Sequence, residues 1–248
     1  MEIKKIILGV MAAIFCCSLS LASDDLASQL LKASDRSRGG VKDGIQWVAK
    51  VESSENGEET SREFDVKANG DNAYVEAIAP AKNKGEIYLL NDRNMWFFKS
   101  SLKKPVSISA RQKLTGQAAN GDIASTHYAR DYVPVIEKTE NLDGQKTHVL
   151  LLTAKSKNLT YDKIRYWISD KSKLAIKAEF LTLQGKPFKI GYLKYQNKLT
   201  VDGQTFPFVS ELTIVDAKFE NNKSVITYSN PKSTQLSPSI FNVNNLTR

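Results

Sequence analysis

The chain has few of the residues that form disulfides and catalytic sites. It contains two cysteines, Cys16 and Cys17, and two histidines, His127 and His148. Both cysteines fall within the first 22 residues, so a chain that begins at Ser23 has none, and a disulfide-linked scaffold is excluded. The fold must then depend on a hydrophobic core, which a chain of this length can form.

Sequence motifs of common enzymes are also absent. The patterns G-x-S-x-G, GxxxxGK[ST] and G-x-G-x-x-G do not occur. His148 lies in an apolar strand pattern and is interpreted as structural, and His127 as solvent-facing, so a zinc site is not supported. Helix capping or pairing with arginine explains Asp122 and Asp131 without catalysis. We therefore expect a protein that is not an enzyme and has no cofactor and no metal.

The first 22 residues have the pattern of a cleaved secretory signal. A positively charged start at 1–5 precedes an apolar run at 6–15, and Ser20-Leu21-Ala22 is a small-x-small cleavage site. The apolar run is shorter than the roughly 20 residues that a spanning helix needs, which disfavours a retained membrane anchor. We predict cleavage after Ala22.

The chain is mildly basic, with a formal net charge of +8. Its lysines and arginines are scattered along the sequence, which is not typical of a nucleic-acid track, and no nucleic-acid partner is expected. The charge favours contact with anionic lipid headgroups or acidic partners. A solvated basic surface is an equally good interpretation.

From residue 44 onward, apolar and polar residues alternate with the period of two that is typical of strands. Ile45, Trp47 and Ala49 share one predicted face, and Asn56-Gly57 and Asp202-Gly203 predict hairpin turns. We count about eleven strands, with no repeat or linker to divide them. A short amphipathic helix that begins at Ser23 precedes the sheet. The prediction is one domain over residues 23–248, mainly β (α+β), with a single curved antiparallel sheet.

Residues 94–132 interrupt this pattern. A strand that is apolar on both faces leads into a cationic loop and then into a polar, helix-prone insert. Ser109 and Gln112 have the spacing of a capping box, which predicts a helix there, and a second short helix follows from Asp122. We predict that the insert is a helical lid that can move, with Leu114, Ile123 and Tyr128 as its contacts with the sheet.

An aromatic-rich sheet with only two short helical covers predicts an apolar cavity. The predicted wall consists of the large side chains that share a strand face: Trp47, Phe64, Ile87, Leu89, Trp96, Phe98, Tyr166, Ile168 and Phe180. Both faces are apolar at 87–90 and 95–98, so strand parity leaves the choice of face open there. An ordinary core of sheet on helix, with no ligand, is the alternative.

The order of the predicted elements and several short segments match one known family. The segments are NMWFF at 94–98, LKKP at 102–105, GDIA at 121–124, RDY at 130–132, YDKIRYW at 161–167 and KAEF at 177–180. Together they resemble the outer-membrane lipoprotein-sorting protein family of the LolA-like superfamily. The likeness covers most of residues 23–248. The chain departs from the family's Trp-x-Tyr-x-Pro pattern, because WFFKS stands at 96–100 and the next proline is Pro105.

The resemblance implies an incomplete, half-open β-barrel of about eleven strands that is covered by an N-terminal helix and a central helical lid. It also implies a periplasmic carrier of the Gram-negative envelope that binds a lipid or lipoprotein acyl chain. Such a carrier would be a monomer and would pass its cargo from an inner-membrane transporter to an outer-membrane acceptor.

A second function is compatible with the same resemblance. Members of this branch are linked to membrane exporters of the resistance-nodulation type, so the chain could be an envelope stress sensor or adaptor that binds an exporter or a signalling partner. A lipocalin-like binder is disfavoured because Gly44-Ile45-Gln46-Trp47 lacks the G-x-W spacing of that family. A hydrolase is disfavoured by the missing motifs.

Overall fold

The strands bury alternate side chains against one core. In the computed structural model, which describes residues 25–125 and 127–247, strand β1 (Ile45–Glu55) buries Trp47, Ala49 and Val51 and leaves the residues between them half-buried. This alternation arises when one face of a sheet packs on the core. The predicted signal at 1–22 lies outside the described residues, as does the predicted helix start at Ser23.

Thirteen strands form one antiparallel sheet, and two short hairpins lie beside it. After β1, the strands of the sheet are β2 (Glu58–Ala68), β3 (Ala73–Ala79), β4 (Ile87–Asn91), β5 (Asn94–Phe98), β6 (Val106–Ile108), β9 (Tyr132–Leu142), β10 (Gln145–Ala154), β11 (Lys163–Ser169), β12 (Ala175–Leu181), β13 (Pro187–Lys194), β16 (Glu211–Asp216) and β17 (Lys223–Ser233). The hairpins are β7 (Lys113–Thr115) with β8 (Ala118–Ala119), and β14 (Asn197–Val201) with β15 (Gln204–Phe208).

The helical elements are short. Helix α1 covers residues 25–36, and α2 (Asn120–Ala124) and α3 (Tyr128–Asp131) lie in the insert. Three single turns of 3-10 helix occur at Ala81–Asn83, Pro238–Phe241 and Val243–Asn245. Within the described part of the chain, no helix is both long enough and apolar enough to span a membrane.

The order of strands across the sheet is β6-β5-β4-β3-β2-β1-β17-β16-β13-β12-β11-β10-β9. Because β17 returns to pair with β1, the first and last strands lie side by side in the middle of the sheet. Strands β6 and β9 are its two edges, so the sheet stays open. The predicted fold class, a mainly β chain with one open, curved antiparallel sheet, is confirmed.

The strand prediction differs from the structure in number. The sheet has thirteen strands, where about eleven were predicted. The prediction missed β9, an edge strand that carries Pro134 and two exposed charged residues, Glu137 and Lys138. Proline and an exposed face are tolerated at a sheet edge but weaken the alternation that identifies a strand.

One face of the sheet, here called the inner face, carries the main hydrophobic core. It is covered by Leu30 and Leu31 of α1, by the insert, and by the β14–β15 hairpin. Phe208 of that hairpin packs on Trp47, with ring centroids 5.8 Å apart. The cover therefore consists of three separate elements.

A smaller cluster lies on the opposite face of β3, β4 and β5, here called the outer face. Leu89 is fully buried there beneath Phe241 and Leu246. The C-terminal segment 236–246 thus covers the outer face of three strands. Asn91 supports this arrangement, because its Nδ2 donates to the carbonyl oxygen of Phe241 at 2.8 Å.

Substitution of Trp47 tests the inner core. Trp47 is 1% exposed, so Trp47→Ala should lower the free energy of unfolding by about 3–5 kcal/mol. The matched control is Phe219→Ala, which removes an aromatic ring that is 65% exposed and should change stability by less than about 0.5 kcal/mol. Chemical denaturation measures both values, and equal losses would contradict this description of the core.

Candidate functional site

The insert that covers the inner face spans residues 109–131 and is helical only in part. The backbone N–H of Ser109 donates to Gln112 Oε1 at 3.0 Å, as in a capping box. The chain then turns into the β7–β8 hairpin, with Gly116 at φ +50°, so the helix predicted from Ser109 was wrong. The capping spacing produces a turn here because Gly116 allows the chain to fold back two residues after Leu114. A short helix does form at α2.

The three predicted lid residues all lie against the main core. Ile123 of α2 and Tyr128 of α3 are buried in it, and Leu114 of β7 packs against it while half-buried. The insert is therefore attached to the inner face along its length.

The nine predicted wall residues lie on two opposite faces of the sheet. Five of them belong to the main core on the inner face: Trp47, Phe64, Tyr166, Ile168 and Phe180. The other four belong to the cluster on the outer face: Ile87, Leu89, Trp96 and Phe98. For these four the predicted face was wrong, because the C-terminal segment makes both sides of β4 and β5 apolar. The same strands turn other side chains toward the inner face: Tyr88, Leu90, Met95 and Phe97.

Polar contacts join the end of α1 to α3. Asp35 is 1% exposed, and its Oδ2 accepts a hydrogen bond from the backbone N–H of Ala129 at 2.7 Å. Three residues further on, the guanidinium of Arg38 lies 4.3 Å from the ring centroid of Tyr128. Arg38 Nη1 also donates to the hydroxyl of Tyr166 at 3.3 Å. One cation thus links the helix, the insert and the sheet.

This junction holds polar atoms with unsatisfied hydrogen bonds. Asp35 Oδ1, Ser34 Oγ and the Tyr195 hydroxyl are buried with no partner among the described residues. Burial raises the pKa of Asp35 to about 6, against the opposing effects of the Ala129 N–H and the Arg38 charge. Buried polar groups that lack hydrogen-bond partners destabilise this junction relative to a fully apolar contact.

An ion-pair network holds the insert to two turns of the sheet. Arg130 contacts Asp71 at 3.1 Å and Asp92 at 3.4 Å, and it also pairs with Asp131. His127 Nδ1 lies 3.0 Å from the same Asp71 carboxylate. The turns after β2 and β4 are therefore both fixed to the segment around α3.

On the opposite side of the insert, Asp122 binds Tyr161. Its Oδ2 accepts from the backbone N–H of Ala119 at 2.8 Å and from the Tyr161 hydroxyl at 2.9 Å. The Tyr161 ring stacks on Phe180, with centroids 3.9 Å apart. Burial raises the pKa of the Asp122 carboxyl, although Lys189 and these hydrogen bonds oppose the rise. This contact connects α2 to the inner face of β12.

A groove of about 390 Å³ opens beside this contact. It separates the insert from the β10–β11 loop and the β12–β13 turn. Its lining combines apolar and charged side chains, chiefly Arg111, Tyr161, Asp162, Leu181, Phe188 and Lys189. Arg111 pairs with Asp162 at 2.6 Å. Leu183 also lines the groove. Lys189 Nζ donates to the carbonyl oxygen of Gln117 at 2.6 Å, and burial lowers its pKa. The groove leads from solvent to the stacked pair of Tyr161 and Phe180.

A larger groove of about 610 Å³ lies on the outer face, between β3, β4 and the C-terminal segment. Its lining is mixed, with Lys67 and Glu76 beside Ile87 and Leu246. No group of three or more histidine, aspartate or glutamate side chains is placed to hold a metal ion in residues 25–125 and 127–247.

The polar residues of the site were not predicted as a group from the sequence. Arg38 stands just before Gly39-Gly40, where a basic residue is expected merely to complement the helix C-terminus. Asp35 and Lys189 carry no motif. Asp122 was noted only as part of the Gly-Asp pair and as a helix cap. No local pattern could have identified the tertiary contacts of these residues, because each joins residues more than 35 positions apart in the chain.

Residues 69–248 match a family model described as "Uncharacterized protein". No curated protein matches the chain. Among solved structures, the chain is similar to a LolA superfamily protein from Nitrosomonas europaea at 29% identity and a TM-score of 0.78, over 88% of this chain and 98% of that one.

Two further structures share the fold at lower identity. One is a domain named for outer membrane lipoprotein sorting from Vibrio parahaemolyticus, with 20% identity and a TM-score of 0.73 over 91% of this chain and 100% of that one. The other is a DUF1329 family protein from Desulfovibrio piger, with 19% identity and a TM-score of 0.72 over 90% and 99%.

The raised pKa of Asp35 predicts a pH-dependent stability. A carboxyl whose pKa rises from 3.8 to about 6 on folding favours the folded state below pH 4, and this contribution is lost as the pH rises through 6. Asp35→Asn should therefore become more stable relative to the wild type as the pH rises. The gain in relative unfolding free energy should be about 2–3 kcal/mol between pH 3.5 and 7. Denaturant titrations at several pH values measure it, and a constant difference would contradict the assignment.

Proposed function

The chain belongs to the LolA superfamily, which includes outer membrane lipoprotein-sorting domains, and from this premise we propose that it is an envelope carrier for a lipid or lipoprotein acyl chain. The carried chain lies on the inner face of the sheet, beneath the insert. The main supporting observation is that the apolar inner face is covered by separate elements held together partly by buried polar contacts.

The acyl chain takes the place of the cover. Ile123 and Tyr128 now occupy the inner face, and a methylene chain would bury a similar apolar area there at about 0.8 kcal/mol per CH₂. The net free energy of the exchange is then close to zero, because one apolar surface replaces another. The acyl chain then contacts the five predicted wall residues on this face of the sheet: Trp47, Phe64, Tyr166, Ile168 and Phe180. The displaced insert closes over the other side of the chain with Leu114, Ile123 and Tyr128.

The groove at Tyr161 and Phe188 is the proposed opening. It is bounded by the insert on one side, and the hydrogen bond from Tyr161 to Asp122 is the contact that must break for α2 to move away. Lys189 and Arg111 line this groove, and an anionic headgroup there would replace Asp162 as the partner of Arg111. An amphiphile could then enter chain first, with its charged end near these residues.

The cellular setting follows from the carrier role. We propose that residues 1–22 are a signal removed after Ala22, that the protein acts as a monomer in the periplasm as one domain over residues 23–248, and that it receives cargo from an inner-membrane transporter and delivers it to an outer-membrane acceptor. Neither step needs catalysis, a cofactor or a metal.

A second candidate, an envelope sensor or adaptor, is favoured by the edge strand β9. Val133 and Val135 on this strand are half exposed, at 50% and 49%. An exposed strand edge can pair with a segment of a partner protein. An adaptor of this kind would bind its exporter or signalling partner through β9 and would not need the insert to open.

A disulfide between α2 and the β10–β11 loop tests the carrier. A Cβ placed at Gly121 would lie 3.0 Å from Thr160 Cβ, so a shift of about 0.5 Å allows a disulfide in Gly121→Cys/Thr160→Cys. Oxidised protein should bind a fluorescent fatty acid at least about tenfold more weakly than reduced protein, because α2 can no longer leave the β10–β11 loop. Fluorescence titration before and after reduction measures the change.

The control is the disulfide of the double variant Thr200→Cys/Thr205→Cys. The two threonine hydroxyls lie 2.8 Å apart across the β14–β15 hairpin, and this bond should leave fatty-acid binding unchanged in both redox states. Equal binding by oxidised and reduced Gly121→Cys/Thr160→Cys would refute the proposed opening. Failure of every form, including the wild type, to bind fatty acid would refute the carrier function itself.

A further inference from the structure

Two turns beside the groove expose large apolar side chains. Leu183 in the β12–β13 turn is 66% exposed, and Phe219 in the β16–β17 turn is 65% exposed. Phe188 lies between them and is 38% exposed. The turns are neighbours, because β13 pairs with β16 and the Ala217 N–H donates to the carbonyl oxygen of Phe188 at 3.1 Å.

Both turns are held rigidly by hydrogen bonds. In the first, the Gly185 N–H donates to the Thr182 carbonyl oxygen at 2.9 Å. In the second, Asp216 Oδ1 accepts from the backbone N–H groups of Lys218 at 2.8 Å and Phe219 at 3.0 Å. The exposed apolar side chains therefore stand on turns whose backbone is fixed by hydrogen bonds.

Lysines surround these apolar side chains. Lys186, Lys218 and Lys223 are exposed and make no ion pair within residues 25–125 and 127–247, whereas nearby Lys113 pairs with Glu55. Glu220 is the only acid among residues 182–188 and 217–223. Apolar tips ringed by cations match the chemistry of an anionic bilayer surface, where the tips reach the acyl region and the lysines contact the phosphates.

We propose that this rim, made of residues 182–188 and 217–223, docks on bilayers that contain anionic phospholipid. Two observations support this proposal: the lysines complement anionic lipid headgroups, and hydrogen-bonded turns expose large apolar side chains. The function of the docking rests on the proposed carrier function. Leu183 and Phe188 also line the groove. Docking by this rim therefore brings the opening to the membrane surface, so that a chain could pass without crossing water.

Co-sedimentation with vesicles tests the docking. The wild type should bind vesicles of equal parts phosphatidylglycerol and phosphatidylcholine, and bind them more weakly as salt is added. Two variants should each lower the partition coefficient roughly tenfold or more: Leu183→Ser/Phe219→Ser removes the apolar tips, and Lys186→Glu/Lys218→Glu reverses the charge. The wild type should bind vesicles of phosphatidylcholine alone far less.

Two control variants change similar residues elsewhere. Val106→Ser alters an apolar residue that is 46% exposed on the far edge strand β6, and Lys171→Glu/Lys198→Glu alters exposed lysines away from the rim. Both should bind vesicles like the wild type. Docking is refuted if the wild type ignores the anionic vesicles, which would point instead to a protein partner, or if the controls lose as much binding as the rim variants.

A second measurement separates docking from the carrier function. In the absence of vesicles, Lys186→Glu/Lys218→Glu should bind a fluorescent fatty acid as tightly as the wild type, because neither lysine lines the groove. Vesicle binding without any fatty-acid binding would leave docking supported and refute the carrier. Fatty-acid binding without vesicle binding would refute docking alone.

Discussion

The apolar inner face of the sheet must be kept from water, because side chains such as Trp47 and Phe64 are almost completely buried on folding. A sheet of thirteen strands offers far more surface than α1 alone can cover. The chain covers the rest with the insert at 109–131 and the β14–β15 hairpin. Closing a barrel would have hidden this face permanently. An open sheet with a segmented cover leaves it available whenever one element moves.

The contacts that hold the insert differ from those within the sheet. Strands are joined by continuous backbone ladders. In contrast, α3 is joined to α1 through Asp35 and Arg38, and α2 is joined to the β10–β11 loop through Asp122 and Tyr161. These contacts are specific but carry the desolvation cost of buried charge. They fix the position of the insert on the sheet through named pairs of residues. In the proposed carrier, a cover held in this way is exchanged for an acyl chain at little net free energy.

Strand alternation and Asn-Gly or Asp-Gly turns were sufficient to predict a mainly β chain with one curved antiparallel sheet and an interruption near its middle. That the sheet is open was implied only by the family resemblance. These patterns assigned Trp47 and Phe180 to the inner face, because one-sided strands have only one apolar face. They failed at β4 and β5, where Trp96 and Phe98 turn toward the C-terminal segment. That segment is 140 residues away in the chain, and nothing local indicates where it packs. The buried role of Arg38 was missed for the same reason.

The central claim is that an acyl chain occupies the inner face and not the larger groove on the outer face. A fatty acid that carries a photoreactive diazirine near its methyl end distinguishes the two faces when the cross-linked protein is digested and its peptides are identified by mass spectrometry. The account predicts labelling of peptides from β11, β12 and the insert. Labelling confined to residues 236–246 and the outer face of β4 and β5 would contradict it.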